Sequence, residues 1–241
     1  MNTFRILVAD DHPIFRFGLC SLLSSHKGWE ICGEAADGRE AVEKCNRLKP
    51  DLLILDICMP KLNGVDAAQQ ILKHDPAQRI LIVTDVNTEQ VVQDCLAAGV
   101  RGWIFKSDAI DDLIPAVEEL QRNKPAFSKL VSDLIMDGYL RGHNGGPAVP
   151  KARLTSRERE ILQLLGEGKS NKEISTTLNV SVKTTETHRS NMMTKLNLHS
   201  VAELLLYAIR NEIVHVNLPP VLRFPSPPTV EGGPVLLRSV H

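Results

Sequence analysis

Two alternating patterns fill the chain from Arg5 to Arg122. Short apolar runs at Ile6–Ala9, Glu30–Ala35, Leu52–Leu55, Ile80–Thr84 and Gly102–Phe105 predict strands. Between them, apolar residues recur at helical spacing near 13–25, 38–48, 65–74, 88–98 and 110–122. Leu52-Leu53-Ile54-Leu55 is apolar at every position, the mark of a strand covered on both faces. Five such repeats joined by right-handed crossovers predict an α/β doubly wound, five-stranded parallel sheet with helices on both sides. Asp37-Gly38 and Ala98-Gly99 punctuate its turns.

Beyond Arg122 the pattern changes. Leu130–Leu140 fits a short helix, and 142–150 carries three glycines and two prolines without periodicity, so it reads as a flexible linker. From Thr155 the chain marks its own helix starts. Thr155 with Glu158, Ser170 with Glu173 and Ser200 with Glu203 each fit the capping box, and Ser181 is a fourth N-cap ahead of Lys183–Leu196. Gly166 and Gly168 end the first of these helices, and Asn179-Val180 separates the second from the third. Ile161, Leu164, Leu165, Ile174, Leu178, Val182, Met192, Leu196, Leu204 and Leu205 can share one small core. A short turn between the second and third helices is a helix-turn-helix arrangement. Caps and charge alone fit a four-helix bundle without a ligand equally well.

Composition adds bounds. At 241 residues the chain suits one large or two small domains, and 43% hydrophobic content is ordinary for a soluble protein. The start has no basic leader, and no apolar run approaches the roughly 18 residues that span a bilayer, so a cytoplasmic protein without membrane contact is expected. The cysteines at 20, 32, 45, 58 and 95 lack paired spacing and read as reduced thiols. Residues 1–150 carry 16 Lys/Arg against 21 Asp/Glu, whereas 151–216 carry 10 against 7. That asymmetry points to different partners for the two parts, and its small basic excess supports nucleic-acid binding only weakly.

Candidate chemistry gathers at the strand ends. The first strand leads into Asp10-Asp11, the third into Asp56, the fourth ends at Thr84 and the fifth leads into Lys106. In a doubly wound sheet the first and third strands flank the switch point, so three carboxylates converge there. They repel unless a cation lies among them, and Mg²⁺ suits hard oxygen ligands. Thr84 and Lys106 can donate to a phosphoryl group, and Asp56 as nucleophile would form an aspartyl phosphate. The histidines at 12, 26, 74 and 143 show no ligand spacing and read as ordinary residues.

Residues 4–122 resemble the receiver domain of two-component response regulators. The matching marks are Val8-Ala9-Asp10-Asp11-His12-Pro13, Leu55-Asp56-Ile57-Cys58-Met59-Pro60 with Gly64, Thr84, and Trp103-Ile104-Phe105-Lys106. The resemblance implies a flavodoxin-like fold, phosphorylation of Asp56 by a histidine kinase, and Mg²⁺ held by Asp10, Asp11, Asp56 and the Cys58 carbonyl. It also implies that Thr84 and Trp103 rearrange together. Asp85 departs from the family, which usually has a small residue there, and a carboxylate at that rim would slow phosphotransfer unless it turns to solvent. Cys58 and Val86 occupy the positions that tune dephosphorylation in the family; neither orients water well, so slow hydrolysis is expected.

Residues 154–214 are similar to the LuxR-type helix-turn-helix domain through Leu154-Thr155-Ser156-Arg157-Glu158, Gly168-Lys169-Ser170-Asn171-Lys172-Glu173-Ile174, and Lys183-Thr184-Thr185-Glu186-Thr187-His188-Arg189. Together the two halves resemble the NarL/FixJ family. Glu186, Thr187 and Ser190 share a helix face and are base-edge candidates; Asn171, Lys172, Lys183, Thr184 and Arg189 are better placed for phosphates. Thr185 stands where the family commonly has valine, and His188 reads as a packed residue. The helix 201–211 offers Leu205, Tyr207 and Ile209 for a dimer contact when the protein is phosphorylated. The implied organisation is a receiver over 4–122, a linker over 123–153, the DNA-binding domain over 154–214, and a proline-rich, disordered tail over 215–241. The expected function is phosphorylation-controlled transcription through promoter DNA, with no enzymatic role beyond the receiver's own phosphorylation and slow dephosphorylation. Two rivals stay open: a Mg²⁺-dependent aspartyl-phosphate hydrolase, and a DNA binder whose receiver only dimerises.

Overall fold

The structure is a computed structural model describing the backbone of residues 3–144 and 154–214, with side chains over 3–136 and 154–214. The first part alternates β1 (Phe4–Ala9), α1 (Pro13–Ser24), β2 (Trp29–Ala35), α2 (Gly38–Leu48), β3 (Leu52–Leu55), α3 (Gly64–His74), β4 (Arg79–Thr84), α4 (Glu89–Ala98), β5 (Gly102–Phe105) and α5 (Ala109–Gln121). The sheet order is β2-β1-β3-β4-β5-β6, and every pairing is parallel.

Apolar runs make both faces of this sheet dry. Leu7, Ala9, Leu53 and Leu55 pack with α2, α3 and α4, whereas Ile6, Val8, Leu52 and Ile54 pack with α1 and α5. Alternate residues of one strand therefore enter different cores, which is why the runs show no polar alternation.

Among the described residues the sheet has six strands, not the five expected. The extra strand, β6 (Ala126–Phe127), is two residues long and pairs with β5 at the edge. It was hidden because two residues after Pro125 leave no periodicity to detect. α6 (Lys129–Asn144) follows it, longer than the 130–140 helix anticipated and running through part of the expected linker. Val131 is buried against α4, with Leu134 and Ile135 beside it. Residues 145–153 and the proline-rich tail beyond Val214 lie outside the described residues.

The second part consists of α7 (Ser156–Gly166), α8 (Asn171–Leu178), α9 (Val182–Leu196) and α10 (Val201–Arg210). Full capping boxes open α7 and α8. Ser181 caps α9 and Ser200 caps α10; the reciprocal bond expected of Glu203 goes to the His199 N–H instead of the N-cap residue. Ile161, Leu164, Ile174, Leu178, Met192 and Leu204 form the core, but Val182, assigned to it from spacing, is exposed.

α7 docks on the first domain through polar groups. Arg159 bonds Asp66 and Gln69 on α3. Gln163 accepts from the Asn63 N–H at 2.8 Å and donates to the Met59 carbonyl at 2.8 Å, while Glu167 accepts from the Lys61 N–H at 2.9 Å. Arg39 pairs with Glu160. Burial pushes the Asp66 carboxyl above its usual range, and Arg159 pulls it back only in part.

Candidate acidic site and helix-turn-helix surface

Backbone bonds just past the strand ends bring the carboxylates together. The Asp10 N–H donates to the Ala35 carbonyl, and the Asp56 N–H donates to the Ala9 carbonyl at 2.9 Å. Each acid thus continues a sheet ladder by one bond, and its side chain lies at the switch point between β1 and β3. Gly64 holds the returning chain close: its N–H donates to the Ile57 carbonyl, and a Cβ there would lie 2.0 Å from the Asp56 carbonyl oxygen.

Lys106 follows β5 and spans the pocket. Its Nζ lies 2.7 Å from Asp10 Oδ2 and 2.8 Å from Asp56 Oδ2, with the Phe15 ring 4.8 Å away. Burial pulls the Lys106 pKa down, but the charge on Asp56 and bonds to both acids outweigh it, so the ammonium is held charged. Burial is also the largest influence on Asp10; with the adjacent Asp56 charge it raises that carboxyl despite Lys106.

Asp10 Oδ2 and Asp11 Oδ1 have nitrogen neighbours in Lys106 and His12, whereas Asp56 Oδ1 is buried without a hydrogen-bond partner. Asp10, Asp11, His12 and Asp56 each present a ligand atom, all within 4.8 Å of one another. An orphaned buried carboxylate oxygen among like charges is the donor set that a small hard cation satisfies, and these residues fit Mg²⁺.

Thr84 is wholly buried, and its hydroxyl accepts from the Val86 N–H at 3.3 Å. Trp103 is buried in the core that also contains Val131 and Phe127, its indole N–H unpartnered. Asp85 is exposed and does not join the acidic group. Burial first, then the nearby charges of Asp56 and Glu212, push the Cys58 thiol far upward. The hydrolase alternative needs a carboxylate two residues past Asp56, and Cys58 occupies that place.

In the second domain, α8 ends at Asn179 in the left-handed region, φ 51°, and Ser181 starts α9 two residues later. α8 and α9 thus form a helix-turn-helix pair. Thr185 is fully buried and returns its hydroxyl to the Ser181 carbonyl, so the group replacing a methyl is satisfied. His188 is half-buried.

Comparison with known proteins matches both halves. Residues 6–118 match the response regulator receiver domain, and residues 152–208 match bacterial regulatory proteins of the luxR family. The response regulator protein VraR of Staphylococcus aureus is 34% identical over 212 residues, covering 88% of this chain and 99% of VraR. The chain is a response regulator of the NarL/FixJ family. The RcsB response regulator of Salmonella typhimurium superposes with a TM-score of 0.61 at 28% identity, over 89% of this chain and all of RcsB. An RcsB–DNA complex matches with a TM-score of 0.53 at 29% identity, over 86% of this chain and 98% of that one.

As a response regulator, the chain combines a receiver with a LuxR-type DNA-binding domain. Among its expected DNA contacts, Lys172, Lys183, Glu186, Thr187 and Ser190 are exposed, and Asn171, Thr184 and Arg189 are half-buried. Two features escaped the sequence. His12, read as ordinary, has Nδ1 2.8 Å from Asp11 Oδ1; its place directly after the acid pair was the available signal. The docking residues Arg159, Gln163 and Asp66 gave no signal, because an isolated polar residue on a helix reads as solvated. Among the described residues, no helix is long and apolar enough to cross a membrane.

Proposed function

We propose that Asp56 is the phosphoacceptor and that its phosphorylation governs promoter binding by α8 and α9. The observation carrying this reading is the asymmetry of the Asp56 carboxylate: Oδ2 is engaged by Lys106, while Oδ1 is buried without a partner. In the transfer, an Asp56 oxygen forms a bond to phosphorus as the bond from phosphorus to the donor imidazole nitrogen breaks. The freed imidazole becomes neutral by taking a proton from solvent. Asp10, Asp11, Asp56 and the Cys58 carbonyl would hold Mg²⁺, which would offset phosphoryl charge. Lys106, already beside Asp56, would pair with a phosphoryl oxygen, and Thr84 would leave Val86 to donate to another.

The donor is a histidine kinase, the setting is the cytoplasm, and the phosphorylated chain pairs on DNA. Thr84 and Trp103 would carry the switch. Trp103 neighbours β6 and α6, so its movement reaches the segment leading to the second domain. Lys172, Lys183, Asn171, Thr184 and Arg189 would hold phosphates, and Glu186, Thr187 and Ser190 would read bases. Sequence selection from random duplexes tests this with wild type and Asp56→Asn, each with and without beryllofluoride. Enrichment that responds to beryllofluoride only in wild type supports the reading; enrichment indifferent to Asp56 refutes it.

A further inference from the structure

We infer that Gln163 of α7 is a positioning residue for the receiver's acidic site: the helical domain helps to hold the loop whose Cys58 carbonyl would bind the cation. The role rests on the reading of Asp56 and its cation proposed above, and it operates within one chain. The loop between β3 and α3 belongs to no strand or helix. Within the receiver, the Met59 N–H donates to the Ile57 carbonyl at 3.1 Å and the Leu62 N–H to the Pro60 carbonyl at 2.7 Å. The Met59 carbonyl and the Lys61 and Asn63 N–H groups find their partners on the helical domain instead.

Gln163 supplies two of those three partners and is itself 2% exposed. Its amide oxygen accepts from the Asn63 N–H and its nitrogen donates to the Met59 carbonyl, each at 2.8 Å. A primary amide carries donor and acceptor side by side, so one side chain clips both ends of the turn. The same nitrogen donates to Glu167 at 2.9 Å, the carboxylate that accepts from the Lys61 N–H. Lys61 stands in the left-handed region at φ 64°, a conformation that a side-chain-bearing residue keeps where its surroundings fix it.

The Cys58 carbonyl shares one planar peptide unit with the Met59 N–H. That N–H is bonded to Ile57 and the Met59 carbonyl to Gln163, so Met59 is held on both sides. The plane bearing the Cys58 oxygen thereby loses freedom to turn. A ligand oriented before the cation arrives binds it more tightly, because less order must be imposed on binding. Arg159 separately holds α7 to Asp66 and Gln69 of α3, so the seam does not depend on Gln163 alone.

The test measures Mn²⁺ uptake by the full-length chain with electron paramagnetic resonance, which detects the free aquated ion. Gln163→Leu removes both halves of the clip. Gln163→Glu keeps the acceptor for Asn63 and loses the donor to Met59, and it decides the matter if the leucine variant fails to melt cooperatively. Gln69→Ala removes seam contacts that do not touch the loop. The expected result is an affinity about tenfold weaker in both Gln163 variants and unchanged in Gln69→Ala. With acetyl phosphate as donor, the Mg²⁺ concentration for half-maximal labelling should rise by the same factor while the rate at saturating Mg²⁺ is kept. Equal affinity in wild type and the Gln163 variants, or an equal loss from Gln69→Ala, overturns the inference. Wild type that takes up no Mn²⁺ overturns the cation reading of the acidic site itself, and the role of Gln163 with it.

Discussion

Arg159 of α7 and Asp66 of α3 meet across the domain boundary at 2.8 Å, and Asp66 is wholly removed from solvent. Asp66 also belongs to the helix that starts beyond the loop after Asp56, where Asn63 caps α3 and bonds Gln163. Met59, Lys61, Asn63 and Asp66 of this one segment all bond the helical domain. Breaking a buried pair by removing one partner typically costs about 3–5 kcal/mol. Arg159→Leu should accordingly shift the chain toward an undocked form, seen as a larger radius of gyration in solution scattering. Unchanged dimensions would show that the remaining polar contacts suffice.

The DNA face should separate into two kinds of residue. Lys172→Ala should weaken binding to all sequences alike and reduce the slope of log affinity against log salt by about one unit. Glu186→Gln should instead change the preferred base, by about 1–3 kcal/mol at one position of the site. A uniform loss from Glu186→Gln would remove it from the base-reading set.

Acid should loosen the helical domain through Glu158. Burial alone would raise this carboxyl, but bonds from the Thr155 N–H and from Lys195 outweigh it and hold the pKa below the usual value. Its stabilisation is thus complete above the ordinary carboxyl pKa of 4.5 and is lost as pH falls through the lowered value. Glu158→Gln should cost about 1 kcal/mol at neutral pH and flatten the acid side of a Tm-against-pH curve. An acid limb as steep as in wild type would place that titration elsewhere.

β6 and α6 should report on β5 through Trp103. Val131 is fully buried in the core that contains Trp103. Val131→Lys should unseat α6 and shift Trp103 emission to the red, measured in a Trp29→Phe background so that one indole is observed. Emission that stays blue would mean Trp103 is covered without α6.

How much of this was legible depended on the range of the interactions. β3 and β5 match their predicted limits, because Leu52–Leu55 and Gly102–Phe105 are bounded by polar residues at the points where they leave the core. Capping boxes at Thr155 and Ser170 were readable because both partners lie three residues apart. The acidic group was readable because Asp10 and Asp56 stand one step, and Asp11 two steps, beyond a strand, positions that the sheet itself fixes. The seam was not readable: Arg159 and Asp66 are 93 residues apart, and nothing local requires either to be buried. The sixth strand was missed for the opposite reason, being too short to carry a pattern. Asp85 looked like a fourth acid at the rim because it follows Thr84, but it projects into solvent.

The most direct test of the central claim is phosphoryl transfer to Asp56 itself. The chain is incubated with acetyl phosphate and Mg²⁺, and intact-protein mass spectrometry counts phosphoryl groups. A single Mg²⁺-dependent addition is predicted in wild type, localised to the peptide containing Asp56 and absent from Asp56→Asn. Equal labelling of Asp56→Asn, or labelling of wild type unaffected by chelation of the metal, would contradict it.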